Sequence, residues 1–179
     1  MPLYKPVGNA PISQGFEGAF SWEASGYIRR DPKPKRGKRS KFSMKAEYRA
    51  HIHLALDYPS PVGTPVRAMK SGTIIGQGVD SSGAWLIYQR LRRGKRHDVV
   101  ALYYHLKYRS FQFPLGARVR KGQRIADSGA TGYVTGPHTH VEIIRVRRGA
   151  DLQEIYREGL RFDPVPFLEG KAKLTDIAP

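Results

Sequence analysis

Short runs rich in valine, isoleucine, tyrosine and threonine, separated by glycine and proline, constrain the fold of this chain more than any other feature. Such runs occupy residues 72–75, 85–89, 99–104 and 140–146. β-Branched and aromatic side chains favour strands, and the nineteen glycines and thirteen prolines favour turns between them. We therefore predict an all-β fold with a central antiparallel sheet, loops that wall a groove over the sheet, and few short helices.

Two segments locate individual elements within this plan. The runs at 85–89 and 99–104 flank LRRGKRHD, which predicts a hairpin whose tip carries Gly94. Residues 151–158 are the helical candidate, and Asp151 is the predicted N-cap because its carboxylate accepts hydrogen bonds from first-turn N–H groups. We expect this helix to be short.

Three short segments carry the side chains best suited to a metal site. HLALD begins at His53 and ends at Asp57, YYHL contains His105, and GPHTH ends in His138 and His140. The chain has no cysteine, so nitrogen and oxygen ligands are the ones available for zinc. A catalytic zinc takes three protein ligands and leaves a fourth position for water. His53, Asp57 and one member of the His138/His140 pair meet that requirement.

The spacing of the paired histidines suggests two different roles. Side chains two residues apart on a strand point to the same face, so His138 and His140 are expected to stand side by side. One imidazole can then bind the metal while its neighbour faces the water. The spacing alone leaves open which histidine does which.

The same segments resemble those of the lysostaphin-type, LytM-like zinc metallopeptidases, which cut peptidoglycan peptides. The family pattern H-x-G-x-D, Y-x-H-L and T-G-x-S-T-G-P-H-L-H-F-E stands here as HLALD, YYHL and TGYVTGPHTHVE. Residues 63–78 and 116–129 resemble the family's strand pair and turn between these motifs. The resemblance extends over about residues 50–146.

The resemblance implies a complete hydrolytic site with one zinc per chain. It makes His53, Asp57 and His140 the zinc ligands, and it makes His105 and His138 the catalytic pair. His138 would carry a proton from water to the leaving amine, while His105 would orient the water or stabilise the oxyanion. Which of the two is the general base stays open. The implied activity is endopeptidase hydrolysis of peptide crosslinks or stem peptides of peptidoglycan.

Two positions depart from the family pattern. Ala55 replaces a glycine between the first two ligands, and Thr139 replaces a leucine between the paired histidines. Neither change removes a ligand, which favours an active enzyme over the metal-free relatives that activate other wall enzymes. Tyr48 and Tyr133 are candidates to direct a hydroxyl at the oxyanion. The remaining histidines, His51 and His97, match no family position, so we predict surface or structural roles for them.

The resemblance also divides the chain. We predict a single peptidase domain over 1–179, with a core at about 50–146, a basic rim loop at about 22–50 and a C-terminal closing segment at about 150–179. The formal net charge of +16 is concentrated at residues 29–41, 90–96 and 145–148. A field of one sign raises encounter rates with polyanions, so we expect attraction to anionic wall polymers or an outer envelope.

Three further expectations concern the setting of the activity. The start of the chain shows no secretory signal, and no apolar stretch long enough to span a membrane occurs, so we predict a phage endolysin or virion-associated enzyme acting in the cell wall or periplasm. A catalytically silent wall-binding or activator module is the first alternative. A basic nucleic-acid-binding protein is the second, and the lack of any nucleic-acid-binding motif argues against specific binding of nucleic acid.

Overall fold

The computed structural model describes residues 1–13, 15, 16 and 53–179. The predicted basic rim loop at about 22–50 lies outside the described residues, and so do Tyr48 and His51. The described part contains the following strands: β1 (Leu56–Pro59), β2 (Pro65–Arg67), β3 (Gly72–Val79), β4 (Trp85–Arg93), β5 (His97–Leu106), β6 (Arg118–Val119), β7 (Arg124–Asp127), β8 (His138–Arg147) and β9 (Leu160–Phe162). Three short helices follow β8 in this part of the chain: α1 (Leu152–Glu158), α2 (Val165–Leu168) and α3 (Leu174–Ile177).

Seven of these strands form one sheet in the order β1-β8-β5-β4-β3-β6, with β9 added to β8 alongside β1. Every strand pair in the sheet is antiparallel. β2 and β7 form a second, two-stranded antiparallel sheet. The predicted all-β fold with a central antiparallel sheet and few short helices is therefore confirmed.

The predicted hairpin is present, but its strands reach further than the sequence indicated. The polar residues of LRRGKRHD suggested a loop, but Leu91 and Arg92 belong to β4. Leu91 is 2% exposed, and Arg92 Nε donates to the Ala178 carbonyl at 2.7 Å. Only a tight turn remains, closed by Gly94 N–H donating to the His97 carbonyl at 2.9 Å. A side chain at position 94 would collide with that carbonyl, which explains the glycine.

The C-terminal segment packs onto the sheet. Asp151 Oδ1 accepts from Glu154 N–H at 2.8 Å, so Asp151 is the N-cap of α1 as predicted. Phe162 in β9 and Phe167 in α2 are each 1% exposed and belong to the main core. None of the helices in the described ranges has the length and apolar composition needed to cross a membrane.

The pleat of β8 separates two environments. Val141 and Ile143 point into the main core, which also contains Tyr103 of β5. The alternate residues His138 and His140 point to the opposite face. On that face β8 is covered near its far end, where Ile144 and Val146 pack against Ile155 of α1. The histidine end of the face holds the candidate site.

Candidate metal centre

Three side chains converge where β1 and β8 pair. Asp57 of β1 lies directly opposite His140 of β8, and His53 precedes β1 by three residues. The Asp57 Oδ1–His140 Nδ1 distance is 2.9 Å, the His53 Nε2–Asp57 Oδ1 distance is 3.2 Å, and the His53 Nε2–His140 Nδ1 distance is 3.3 Å. The three predicted ligands thus form one compact group of donor atoms.

The dimensions of this group suit zinc. Zinc–nitrogen and zinc–oxygen bonds of about 2.0–2.1 Å in a tetrahedron place neighbouring ligand atoms roughly 3.3 Å apart. The three measured separations, from 2.9 to 3.3 Å, lie close to that value. The side chains are 12–18% exposed, so the group is accessible from solvent on one side. Two nitrogens and one oxygen in this open arrangement form the donor set of a catalytic zinc.

The outer nitrogens of both predicted histidine ligands have their own partners. His53 Nδ1–H donates to the Gly15 carbonyl at 2.8 Å, and His140 Nε2–H donates to Glu142 Oε1 at 3.2 Å. Each bond assigns a ring proton to the outer nitrogen, so the inner nitrogen, on the side of Asp57, is the one that would bind a metal in place of a proton. Sequence reasoning missed both partners. Glu142 carried a signal, an acid on the face of His140, but the carbonyl of Gly15 carried none.

The two predicted catalytic histidines lie beside this group. Nδ1–H of His138 donates to the Gly136 carbonyl at 2.9 Å, and Nδ1–H of His105 donates to the Thr131 carbonyl at 2.8 Å. In the neutral form of each ring, this arrangement makes Nε2 the hydrogen-bond acceptor. The two rings are 4.7 Å apart between centroids, and His138 Nε2 lies 3.8 Å from Asp57 Oδ2. The structure brings all five sequence-predicted site residues together.

The backbone at His105 has an unusual conformation. Its φ of 61° lies in the left-handed region, which residues other than glycine adopt at a cost of about 1–3 kcal/mol. Thr131 stabilises the bend, since its Oγ1 donates to the Leu106 carbonyl at 2.7 Å and accepts from Trp85 N–H at 2.9 Å. The same residue supplies the carbonyl that orients the His105 ring. Local strain is thus offset by one residue that also positions the imidazole.

The electrostatics of the centre favour a bound cation. Burial raises the pKa of Asp57, but hydrogen bonds from His140 and His53 outweigh it and bring the pKa well below its usual range. Burial lowers the pKa of His140, yet its hydrogen bonds to Asp57 and Glu142 raise it to about 9. Burial lowers the pKa of His105 to about 4, because the charged imidazole loses hydration. Asp57 is therefore ionised and His105 neutral at neutral pH.

Comparison with known protein families agrees with this geometry. The profile of peptidase family M23 matches residues 51–153, more than half of the chain, and that range includes all five clustered residues. The chain belongs to peptidase family M23. The predicted resemblance to lysostaphin-type metallopeptidases is therefore confirmed. M23 peptidases are zinc enzymes, and the predicted cofactor is confirmed by this membership together with the ligand group.

Two curated relatives show how far the similarity of this M23 peptidase extends. It is 35% identical over 128 residues to the peptidoglycan DD-endopeptidase ShyC of Vibrio cholerae, covering 70% of this chain. It is 31% identical over 117 residues to the glycyl-glycine endopeptidase ALE-1 of Staphylococcus capitis, covering 65% of this chain. The chain spans only 27% and 29% of the lengths of these relatives.

A solved structure extends the similarity to the fold. The catalytic domain of lysostaphin from Staphylococcus simulans is 30% identical and superposes with a TM-score of 0.53. The match covers 67% of this chain and 81% of the lysostaphin domain. The M23 peptidase thus shares the lysostaphin-like arrangement of strands.

The departures from the family pattern are both accommodated. Ala55 is fully buried, and its φ is not among the positive values of the described residues, so alanine fits there without strain. Thr139 is also fully buried, and its Oγ1 has no hydrogen-bond partner in the described part of the chain. Tyr133 is 72% exposed, and its proposed part in the reaction stays a prediction.

Proposed function

We propose that this M23 peptidase is a zinc-dependent endopeptidase that hydrolyses peptide crosslinks or stem peptides of bacterial peptidoglycan. One observation carries the proposal: two imidazoles, each held at Nδ1 by a backbone carbonyl, lie beside a group of three ligand atoms of zinc-binding dimensions. The names of the two relatives, a peptidoglycan DD-endopeptidase and a glycyl-glycine endopeptidase, support peptide bonds of the wall as the substrate class.

The mechanism assigns each clustered residue a role. His53, Asp57 and His140 would hold the zinc. Zinc, when bound in such a site, polarises the scissile carbonyl and brings the pKa of water down to roughly 7. The hydrogen bonds to Gly15 and Glu142 keep the two histidine ligands in the tautomers that the metal requires.

The catalytic pair divides the proton chemistry. His138 takes the proton of the attacking water on Nε2 and passes it to the leaving amine, since this atom lies 3.8 Å from Oδ2 of Asp57 in the ligand group. His105 stays neutral because burial lowers its pKa to about 4. A neutral His105 with its proton on Nδ1 accepts a hydrogen bond at Nε2, so it orients the water rather than donating to an oxyanion.

The peptidase acts, we propose, as one domain over 1–179 in the bacterial wall or periplasm. The loops at 109–114 and 128–137, together with 22–50, select the bond that is cut. The relatives named for DD and glycyl-glycine bonds show that this choice varies among similar proteins.

Exposed cations at the far end of β8 support the predicted attraction to anionic wall polymers. The distal cluster lies at the tip of the β4–β5 hairpin and the end of β8, and it consists of Arg93, Lys95, Arg96, Arg147 and Arg148. Arg148 N–H donates to the Arg96 carbonyl at 2.9 Å, which holds like charges close together. We propose that this cluster binds phosphate-bearing polymers of the wall.

A phage endolysin or virion-associated role, with antimicrobial action, stays a prediction. It is tested by producing the protein inside bacteria with and without a membrane-permeabilising protein. Lysis that requires permeabilisation supports the phage role, and lysis without it argues for another route to the wall.

The proposed activity is tested by digesting purified peptidoglycan with and without a chelator, with the zinc content measured on the same sample. We expect one zinc per chain, chelator-sensitive release of peptides, and fragment masses that identify the bond. Zinc without cleavage would favour a catalytically silent module or a different wall chemistry. The absence of both zinc and cleavage would overturn the proposal. Binding to DNA by such a zinc-free, inactive protein would favour the nucleic-acid alternative.

A further inference from the structure

A hydrogen-bonded chain leads from His140 to a residue outside the part matched by the family profile. Glu142 lies two residues after His140 on β8, so the two side chains share a face. Glu142 Oε1 accepts from His140 Nε2–H at 3.2 Å, and Glu142 Oε2 accepts from Arg161 Nε–H at 2.8 Å. One carboxylate thus joins a proposed zinc ligand to β9.

Backbone contacts hold the guanidinium of Arg161 in addition to its bond to Glu142. Arg161 pairs with Ile144 of β8 across the β8–β9 ladder. Its Nη1 donates to the Gly159 carbonyl at 2.9 Å, and its Nη2 donates to the Tyr156 carbonyl at 2.9 Å. All three nitrogens are therefore engaged, and the planar group has one orientation.

The pair is largely shielded from water. The side chains of Glu142 and Arg161 are 12% and 13% exposed. A carboxylate in such surroundings is costly unless a cation compensates it. Arg161 therefore holds the Glu142 carboxylate turned toward His140. The carboxylate accepts a hydrogen bond from His140 Nε2–H, so Nδ1, on the side of Asp57, is the ring nitrogen that faces the other two proposed ligands.

We propose that Arg161 is a positioning residue of the zinc centre, which acts through Glu142 to fix the ring orientation and tautomer of His140. The proposal rests on the ligand set proposed above. The family profile ends at residue 153, so the C-terminal segment contributes to the metal site through a side chain that the family motifs do not contain.

Zinc titration of the metal-free full chain tests this role. Arg161→Ala is expected to weaken zinc binding by roughly 10-fold or more, the range typical of partners that orient a metal ligand. Arg124→Ala is the matched control, because Arg124 also forms a two-bond pair with a carboxylate, Asp127, but is 45% exposed on β7 of the second sheet. The control is expected to leave the zinc Kd unchanged.

A double-mutant cycle separates positioning from general stability. If Arg161 acts through Glu142, its substitution weakens zinc binding in the wild type and has no further effect in a Glu142→Gln background. A full effect in that background would show another route and overturn the proposal. So would an Arg161→Ala protein with a lower Tm when metal-free but an unchanged zinc Kd.

The conservative variant Arg161→Lys and the wild type provide two further comparisons of zinc affinity. Arg161→Lys retains the positive charge but loses the three-point geometry, so it is expected to bind zinc with an affinity between those of wild type and Arg161→Ala. It replaces Arg161→Ala in the cycle if the alanine variant does not fold. Failure of the wild type itself to bind zinc would overturn the ligand set, whereas normal zinc binding by both position-161 variants would overturn only the role of Arg161.

Discussion

The two ends of β8 carry charge in opposite ways. At the end near His138, polar side chains are half-buried, and the inner atoms of Asp57 and His140 face one another at 2.9 Å. At the far end, the arginines of the distal cluster are exposed. Within the described residues, Arg147 of this cluster pairs with an acid, Glu154. One strand thus presents an ordered site for a cation at one end and a positive surface at the other.

Each end is suited to a different proposed ligand. Buried donors are held in place by outer partners, so they can bind a small ion at short distances without rearrangement. Exposed cations attract at long range through a field that salt weakens, and they require no defined geometry. Residues 140 and 147 are separated by roughly 23 Å along the strand, so the two proposed functions can be changed independently.

Removing a ligand is expected to have the largest effect. His140→Ala should abolish stoichiometric zinc binding and lower the rate of peptidoglycan hydrolysis by roughly a thousand-fold or more, since the metal supplies several kcal/mol of transition-state stabilisation. Zinc analysis and product release by mass spectrometry measure both. His97→Ala, at the other end of β5, is the control and should change neither. A His140→Ala protein with one tightly bound zinc would exclude His140 as a ligand.

Removing a catalytic imidazole is expected to separate chemistry from metal binding. His138→Ala and His105→Ala should each retain zinc, because neither residue belongs to the ligand group, while kcat falls by about a hundred- to ten-thousand-fold. Zinc content and initial rates on one sample provide the measurement. Loss of zinc from the His138→Ala protein would place His138 among the ligands.

Neutralising the distal cluster is expected to have a smaller effect, confined to wall binding. Replacing Arg93, Lys95, Arg96 and Arg148 by glutamine should weaken binding to phosphate-bearing walls by about tenfold at low salt, with little difference at high salt. Co-sedimentation with walls measures binding. Zinc content and cleavage of a soluble peptide fragment should stay unchanged, and equal wall binding by both proteins would contradict the proposed polymer contact.

The smallest expected effect concerns the residue between the paired histidines. Thr139→Val removes a buried hydroxyl that has no partner in the described ranges, so the free energy of unfolding should rise by about 1 kcal/mol. Thr64→Val is the control, because Thr64 Oγ1 donates to the Pro61 carbonyl at 2.7 Å. Removing this hydrogen-bonded hydroxyl should not stabilise the protein. Chemical denaturation measures both. A less stable Thr139→Val protein would indicate that the hydroxyl is bonded.

Much of the site was accessible from local patterns. The period of two along a strand predicts that His138 and His140 share a face, and the motifs indicate that His53 and Asp57 join them. The helix cap at Asp151 was equally local. The shared face and the helix cap depend on neighbours only a few residues away, whereas the joining of His53 and Asp57 to the paired histidines was implied by the family resemblance.

The remaining features depend on pairing between distant segments. No pattern relates Arg161 to Glu142 until β9 is placed beside β8, and no pattern relates the Gly15 carbonyl to His53. The extended hairpin strands also escaped prediction, because the burial of Leu91 within a polar stretch depends on the rest of the core. Backbone carbonyls orient three of the four histidines of the site, yet they leave little trace in residue type.

The pairing of Asp57 with His140 also bears on how the protein reaches its native state. The two residues are 83 positions apart, so the loop that their contact closes contains most of the sheet. Closing such a loop has a large entropic cost, and contacts of this kind form late when the intervening hairpins are local. We expect tight zinc binding to appear with the last phase of refolding, which makes the metal a reporter of completed topology.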